Sequence, residues 1–423
     1  MGWRHITILA SGHWDNVTVI AAVCYLILCW NLILTYWAAA THRPPTAATN
    51  ARLDALSVTV IIPVYNEDPD YLLYTLVSLS EQTRRPQDIV VIDDGSTQTD
   101  CRTAFEYWQR NICPTGIHAI FIQQDNRGKR EAQARGVRRS PQADIFVTVD
   151  SDVRLDGRAL ELGLRPFARK KTMSVAGMLL GDNHRTNLLT RLIELGFVSS
   201  FLSGRAADSR LGSVTVNAGG FALYRAEVLR DRLDHYLTQR VLGRKVSSGD
   251  DAMLTRYALI KGHTRFAREA FGYTLHPTGI RHLSKQRTRW ARSFWWGNVW
   301  MLRNFPVHRY AWWKILLDVL AAVWMAIVVP MVLIVAPARA HTAPWGVLAV
   351  LTLLSYLRNI VFLSLRRQDE SRASQWVTYA LSPLNALLNL YLGWVLTYVG
   401  LLTVAKTGWG TRSVVEVGAD TVS

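Results

Sequence analysis

Ser57-Val58-Thr59-Val60-Ile61-Ile62, running on into Pro63-Val64-Tyr65-Asn66-Glu67, is a β-branched apolar run that ends in polar, turn-forming residues. Such a run reads as a strand buried on both faces, because a strand wetted on one side would alternate. The pattern repeats downstream. Asp88–Ile92 is a second short apolar strand, Ile117–Ile122 a third and Ile145–Val149 a fourth. Between them lie amphipathic stretches with helical spacing: Asp70–Gln82, Thr99–Asn111 and Lys129–Arg139. Short apolar strands alternating with helices predict an α/β fold with a doubly wound, mostly parallel sheet. In such sheets ligands bind outside the carboxyl ends of the strands, so each strand exit is informative.

Farther out, the character of the chain changes. Hydrophobic residues make up 49% of the 423 residues, but they are concentrated in the flanks. Thr18–Ala40 is long and apolar enough to span a bilayer; it is preceded by the polar Ser11–Asn16 rather than by a basic leader, and reads as a retained anchor. Lys314–Ala336 and Trp345–Leu365 read as further spans. Gln375–Ala405 is too long for one simple span and too short for two, and it contains Pro383, Asn385 and Asn389. Arg366, Arg367 and Arg372 before it, with Lys406 and Arg412 after it, place both its ends on the cytoplasmic side. A broken helical hairpin satisfies both votes, and one long tilted helix is the alternative. The expected division is an anchor over 1–42, a cytoplasmic catalytic domain over 43–285, an interfacial Trp/Arg-rich helix over 286–310, membrane helices over 311–405 and a cytoplasmic tail over 406–423.

The formal net charge is +16. An anionic membrane face or an anionic substrate accounts for that charge. Nucleic acid is excluded as a partner, because the arginines form no stripe and no nucleic-acid motif occurs. The four cysteines, Cys24, Cys29, Cys101 and Cys113, show neither metal-ligand spacing nor a paired framework, which fits a reduced cytosolic domain.

Chemistry-bearing residues sit at the strand exits. Tyr65 and Glu67 follow the first strand, and Asp93-Asp94-Gly95-Ser96 follows the second. Carboxylates there can accept hydrogen bonds from a base and from ribose hydroxyls, although DDGS by itself is a turn signal. The fourth strand ends in Asp150-Ser151-Asp152, two carboxylates spaced to share a hard divalent ion with substrate phosphates. Lys129, at a helix start, is a candidate phosphate contact or merely a solvated charge. Ser248-Gly249-Asp250-Asp251 opens a helix expected over Asp251–Ile260; its carboxylates are a cap or a general base. Gln286-Arg287-Thr288-Arg289-Trp290 combines a guanidinium that can grip phosphate with an indole face that can seat a sugar.

The ordered set DDGS, DSD, GDD and QRTRW, with Trp409-Gly410-Thr411-Arg412 near the end, resembles the processive inverting glycosyltransferases of the GT-A fold: the hyaluronan, chitin and cellulose synthases, and hyaluronan synthases most. The resemblance covers most of Val58–Arg412. It implies a plasma-membrane, multi-pass enzyme that polymerises UDP-sugars into a β-linked polysaccharide and exports it, with the growing chain as acceptor. Carried over residue by residue, it implies that Asp93 and Asp94 hold the uridine. Asp152 holds Mg²⁺ or Mn²⁺, with Asp150 on the diphosphate side, and Asp251 is the base, with Asp250 beside it. Gln286, Arg289 and Trp290 form the acceptor and diphosphate end, and Trp409, Thr411 and Arg412 close over the diphosphate. Two features depart from the pattern: a single apolar segment precedes the domain, and Asn217–Arg225 lacks the usual SGP-type wording. A non-processive transferase acting on a lipid phosphate, or a chitin- or glucan-type synthase using one sugar, are the alternatives.

Overall fold

The computed structural model describes residues 47–335, 345–367 and 369–407, with the isolated positions 30, 33, 34, 37 and 338. Apart from four of those positions, the expected anchor Thr18–Ala40 lies outside the described residues, as do Cys24, Cys29, Trp409, Thr411 and Arg412.

The alternation expected from the sequence is present. Its elements are β1 (Val58–Val64), α1 (Pro69–Ser80), β2 (Asp88–Asp93), α2 (Cys101–Asn111), β3 (His118–Gln123), α3 (Lys129–Arg139) and β4 (Ile145–Val149). Every residue of β1 and β4 is buried, which is why neither alternates in polarity. Asp68 caps α1 by accepting from Asp70 N, and Asp100 caps α2 by accepting from Arg102 N and Thr103 N. The domain continues through β5 (Arg154–Leu155), β6 (Thr172–Gly181), α4 (Leu188–Ser200), β7 (Phe221–Arg225), the ribbon β8 (Arg240–Val241) and β9 (Arg244–Lys245), α5 (Asp250–Lys261) and β10 (His263–Thr274).

One sheet of eight strands results, in the order β3-β2-β1-β4-β7-β6-β10-β5. β1 to β4 pair in parallel, as expected. β7 runs antiparallel to both β4 and β6, while β10 is parallel to β6. The reversal of β7 has a consequence for the site: its start, not its end, lies at the edge where the parallel strands exit. Asp150 N accordingly donates to Gly220 O (3.3 Å).

Beyond the sheet come α6 (Ile280–Asn304), α7 (Tyr310–Pro330), α8 (Trp345–Asn359), α9 (Arg372–Ala380), α10 (Ser382–Leu390) and α11 (Leu396–Leu402). The Trp/Arg-rich helix thus starts at Ile280 and ends at Asn304, earlier at both ends than the expected 286–310. Tyr310–Pro330 and the run Ser382–Leu402, continuous through a π-turn, are long and apolar enough to cross a membrane.

The expected hairpin over Gln375–Ala405 takes a different form. A break at Leu381 separates the nine residues of α9 from the 21-residue run α10–α11. Pro383 occupies the first turn of the new helix, where no N–H is needed. Both ends of that run touch the catalytic domain. Asn385 Nδ2 donates to Leu192 O (2.8 Å) near the start, and Ser247 Oγ donates to Thr407 O (3.0 Å) beyond the end. Leu388, Leu392 and Leu396 pack on Ile193 and Leu283, while Leu387, Val395 and Leu402 stay exposed. The helix lies along the domain with an apolar outer face, as one run rather than a hairpin with two arms.

Candidate active site

The first two strand exits are sewn together by short-range bonds. Asn66, with φ of 47°, follows β1. Its N–H donates to Ser96 Oγ (2.8 Å), and its Oδ1 accepts from Thr97 N (2.9 Å) and Gln98 N (3.1 Å). Asp93 Oδ1 accepts from Ser96 N (2.9 Å) and Ser96 Oγ (2.6 Å). Asp94 organises the next loop: Oδ1 accepts from Gln124 Nε2 (2.7 Å) and Arg127 N (3.0 Å), and Oδ2 from Gly128 N (2.7 Å). Gly95, with φ of 79°, lets the two loops approach closely, since a Cβ there would lie 2.7 Å from Asn126 N. Both aspartates are buried and, through these bonds, fix the loops at the strand exits. Tyr65 sits half-buried beside them.

The DSD segment adds more negative charge. Glu67 Oε2 accepts from Ser151 Oγ (2.6 Å), which ties the exit of β1 to that of β4. Desolvation first, then Asp150 and Glu67, push the Asp152 carboxyl up to about 7. Thr274 at the end of β10 reaches Asp152 Oδ2 at 3.5 Å. A carboxyl whose charge is opposed by two like neighbours is the place where a bound cation stabilises most. Among the described residues no three His, Cys, Asp or Glu side chains form an all-protein cage. Hard oxygen donors offered by only one or two carboxylates fit Mg²⁺ or Mn²⁺ completed by substrate phosphates.

Lys129 joins this group to the next. Its Nζ lies 2.6 Å from Asp150 Oδ1 and 3.3 Å from Asp250 Oδ2, and its side chain is nearly inaccessible. The solvated-charge alternative is thereby removed; Lys129 bridges the exit of β4 and the start of α5. The adjacent Arg130 donates to Gln239 Oε1 (2.8 Å) and Ser248 O (2.8 Å), fixing the loop that presents Asp250 and Asp251. Gly249 closes that loop with φ of 68°, and a Cβ there would lie 2.5 Å from Ser293 Oγ of α6. The GDD loop is thereby seated on the helix that carries QRTRW.

Asp250 and Asp251 are neighbours with opposite tendencies. Desolvation raises Asp250, but Lys129 and Arg130 outweigh it and hold this carboxyl below its usual range. Asp251 is pushed up to about 6 by desolvation and by the charge of Asp250. It lies against the start of β7, where a methyl group on Gly219 would stand 3.2 Å from Asp251 Oδ2. Two adjacent carboxyls driven apart in acidity are the pattern of a division between a fixed anion and a proton acceptor.

Gln286, Arg289 and Trp290 share one face of α6, at i, i+3 and i+4. Trp290 is 41% exposed and packs at a tilt of 38° against Phe197 of α4 (ring centroids 6.0 Å apart). Arg287 stacks over both rings, at 4.5 Å from Phe197 and 4.8 Å from Trp290. Phe197 and the Gly219-Gly220 turn escaped the sequence reading. Asn217–Arg225 was noted there only for failing a pattern, and nothing marks Phe197 locally.

Residues 59–233 match the family model for glycosyl transferase family 2. The hyaluronan synthase of Streptococcus pyogenes is 35% identical over 366 residues, which cover 85% of this chain and 84% of the synthase. The chain belongs to the hyaluronan synthase family. It is a glycosyltransferase that polymerises sugar, with the GT-A type α/β domain of that family. An N-acetylglucosaminyltransferase of Rhizobium sp. (strain N33) is 28% identical over 409 residues, covering 94% of this chain and 87% of the relative. Among solved structures, a mannosyltransferase from Pyrobaculum calidifontis in complex with GDP-Man and Mn²⁺ is similar in fold, with a TM-score of 0.53, 17% identity and coverage of 87% of this chain and 96% of that one.

Proposed function

We propose that this family member polymerises UDP-sugars into a β-linked polysaccharide by inversion, with Asp251 as the general base, and passes the product out through the membrane. The observation that carries the mechanism is the seam at Lys129, which brings the DSD carboxylates and the GDD loop into one site. Asp93 and Asp94 hold the uridine end, with Tyr65 and Glu67 beside it. Asp152 would hold Mg²⁺ or Mn²⁺, with Asp150 on the diphosphate side, and the ion would neutralise charge on the departing diphosphate.

The chain end rests on the exposed face of Trp290. Asp251, ionised, accepts the proton of its hydroxyl as the oxygen attacks the anomeric carbon. The bond from that carbon to the diphosphate breaks on the opposite side, UDP leaves, and the configuration inverts. The pKa of Asp251, raised to about 6, favours proton uptake near neutral pH. In this reading Lys129, Arg289, Trp409, Thr411 and Arg412 serve the diphosphate, and Gln286 with Trp290 serves the acceptor. The outer apolar faces of α7 and α10–α11 support a plasma-membrane enzyme with its catalytic domain on the cytoplasmic side.

Radiolabel incorporation by purified protein in lipid vesicles tests this. UDP-glucuronate, UDP-N-acetylglucosamine and UDP-glucose are offered singly and in pairs with Mg²⁺ or Mn²⁺. A high-mass product that needs the first two together is the expected outcome. A polymer from one sugar makes the enzyme chitin- or glucan-type, and transfer of a single sugar to lipid with no polymer would overturn the proposal.

A further inference from the structure

A buried ionic cluster outside the site joins the membrane-proximal loop to the acceptor end. Arg367, in the loop between α8 and α9, pairs through Nη1 with Glu194 Oε1 of α4, and both side chains are wholly inaccessible. Arg367 Nε also donates to Asp369 Oδ1 (2.8 Å), and its Nη2 to Gly181 O at the end of β6 (3.1 Å). The second Glu194 oxygen accepts from Gly181 N (2.8 Å) and meets His276 Nε2 (2.9 Å). Proposed catalysis uses none of these groups, yet burying them is costly unless each is paired.

Their placement gives them a task. Glu194 and Phe197 stand three residues apart, on one face of α4. The Phe197 ring contacts both His276 (5.5 Å between centroids) and Trp290 (6.0 Å). A continuous line of contact therefore runs from Arg367 through Glu194 and His276 to Phe197 and the indole. α4 is also tied to the same membrane-proximal segment by Arg191 Nη1, which donates to Thr378 Oγ1 of α9 (3.1 Å).

We propose that Arg367 is a positioning residue for the acceptor: by pairing with Glu194 it sets α4 and Phe197 against Trp290, so that the seat of the growing chain depends on the loop between α8 and α9. This inference rests on the reading of Trp290 as the acceptor seat. The uridine end is built on β1, β2 and the loop before α3, so the latch acts on chain extension and not on UDP binding. Arg367→Gln leaves Glu194 without its guanidinium partner and loosens this tie between α4 and Trp290, while the Arg191 and Asn385 bonds to α4 remain.

The test compares full-length wild type with Arg367→Gln, Arg367→Lys, Glu194→Gln and Phe197→Leu, all in lipid vesicles. UDP affinity is read by calorimetry, and UDP release and sugar incorporation are read separately. Arg367→Gln and Phe197→Leu are expected to bind UDP within about twofold of wild type while extension falls by about ten- to a hundredfold, the scale of a site displaced by an ångström. Released UDP per incorporated sugar rises, the product shortens, and Arg367→Lys recovers part of the loss. If Arg367→Gln fails to fold, Glu194→Gln and Phe197→Leu carry the same comparison. Unchanged extension in these variants, or an equal fall in UDP affinity and extension, overturns the latch. A wild-type protein that makes no polymer instead overturns the acceptor reading, and the latch with it.

Discussion

At the uridine end the two carboxylates are held by residues of the first strand–helix units: Asp93 by Ser96, three residues on, and Asp94 by Gly128, 34 residues on. The acceptor end is held by contacts of another order, with Glu194 paired to Arg367 across 173 residues and Leu192 to Asn385 across 193. The donor half is therefore a property of strand exits, whose geometry follows once the sheet forms. The acceptor half exists only after the C-terminal helices have packed on α4 and α6. Asp250 and Asp251 lie between the two, fastened to the first by Lys129 and to the second by Gly249 against Ser293.

That contrast can be broken at several points. Asp152→Asn should lower turnover by about 10²–10³-fold, the scale of losing one electrostatic stabiliser of the leaving group, and chelation of divalent ions should do the same to wild type. Steady-state UDP release with and without a chelator checks both; an active, chelator-insensitive Asp152→Asn would remove the metal from this carboxylate.

Asn66→Ala removes the two hydrogen bonds that the side-chain Oδ1 accepts at the donor floor and leaves alanine at a positive φ. At about 1 kcal/mol for each bond and about 1 kcal/mol for the left-handed backbone, a loss of roughly 2–3 kcal/mol is expected, visible as a lower melting temperature and weaker UDP binding. Product length at saturating donor should not change, because the acceptor end is built elsewhere.

Trp290→Ala does the reverse: UDP binding holds, and the product shortens as the chain end loses a ring contact worth on the order of 1 kcal/mol. Size-exclusion profiles of labelled product decide it. Equal effects of the Asn66 and Trp290 changes on donor binding would erase the distinction between the two ends.

The smallest expected effect is on the pH profile. Asp251 must be ionised to accept a proton, so activity should fall as pH drops through about 6. Asp250→Asn removes the neighbouring negative charge that helps raise Asp251. The acid limb of kcat/KM should then move to lower pH, and a shift upward would contradict the assignment.

How much of this was readable in the sequence follows from the same contrast. β1 to β4 and their helices were legible because each is a local apolar run with its own punctuation; α3 matches its expected limits. The antiparallel β7 was not, since Phe221–Arg225 carries no signal of direction and its orientation is set by the path of the chain through α4. The carboxylates could be named, but the bridging role of Lys129 could not, because nothing near it predicts an approach to Asp250, 121 positions away by residue number. Phe197, Glu194 and Arg367 were invisible for the same reason. Helix α10–α11 was legible as an apolar segment, whereas its start after the break at Leu381 and its position along the domain depend on contacts such as those with Ile193 and Leu283.

Asp251→Asn tests the central claim most directly, with UDP binding measured by calorimetry and turnover measured as released UDP on one reconstituted preparation. The account predicts donor affinity close to wild type and turnover lower by about 10²–10⁴-fold, the usual worth of a positioned general base. Near-normal turnover would take the chemistry away from Asp251, and a matching collapse of donor affinity would show that the GDD loop belongs to the donor floor rather than to the seam between the two ends.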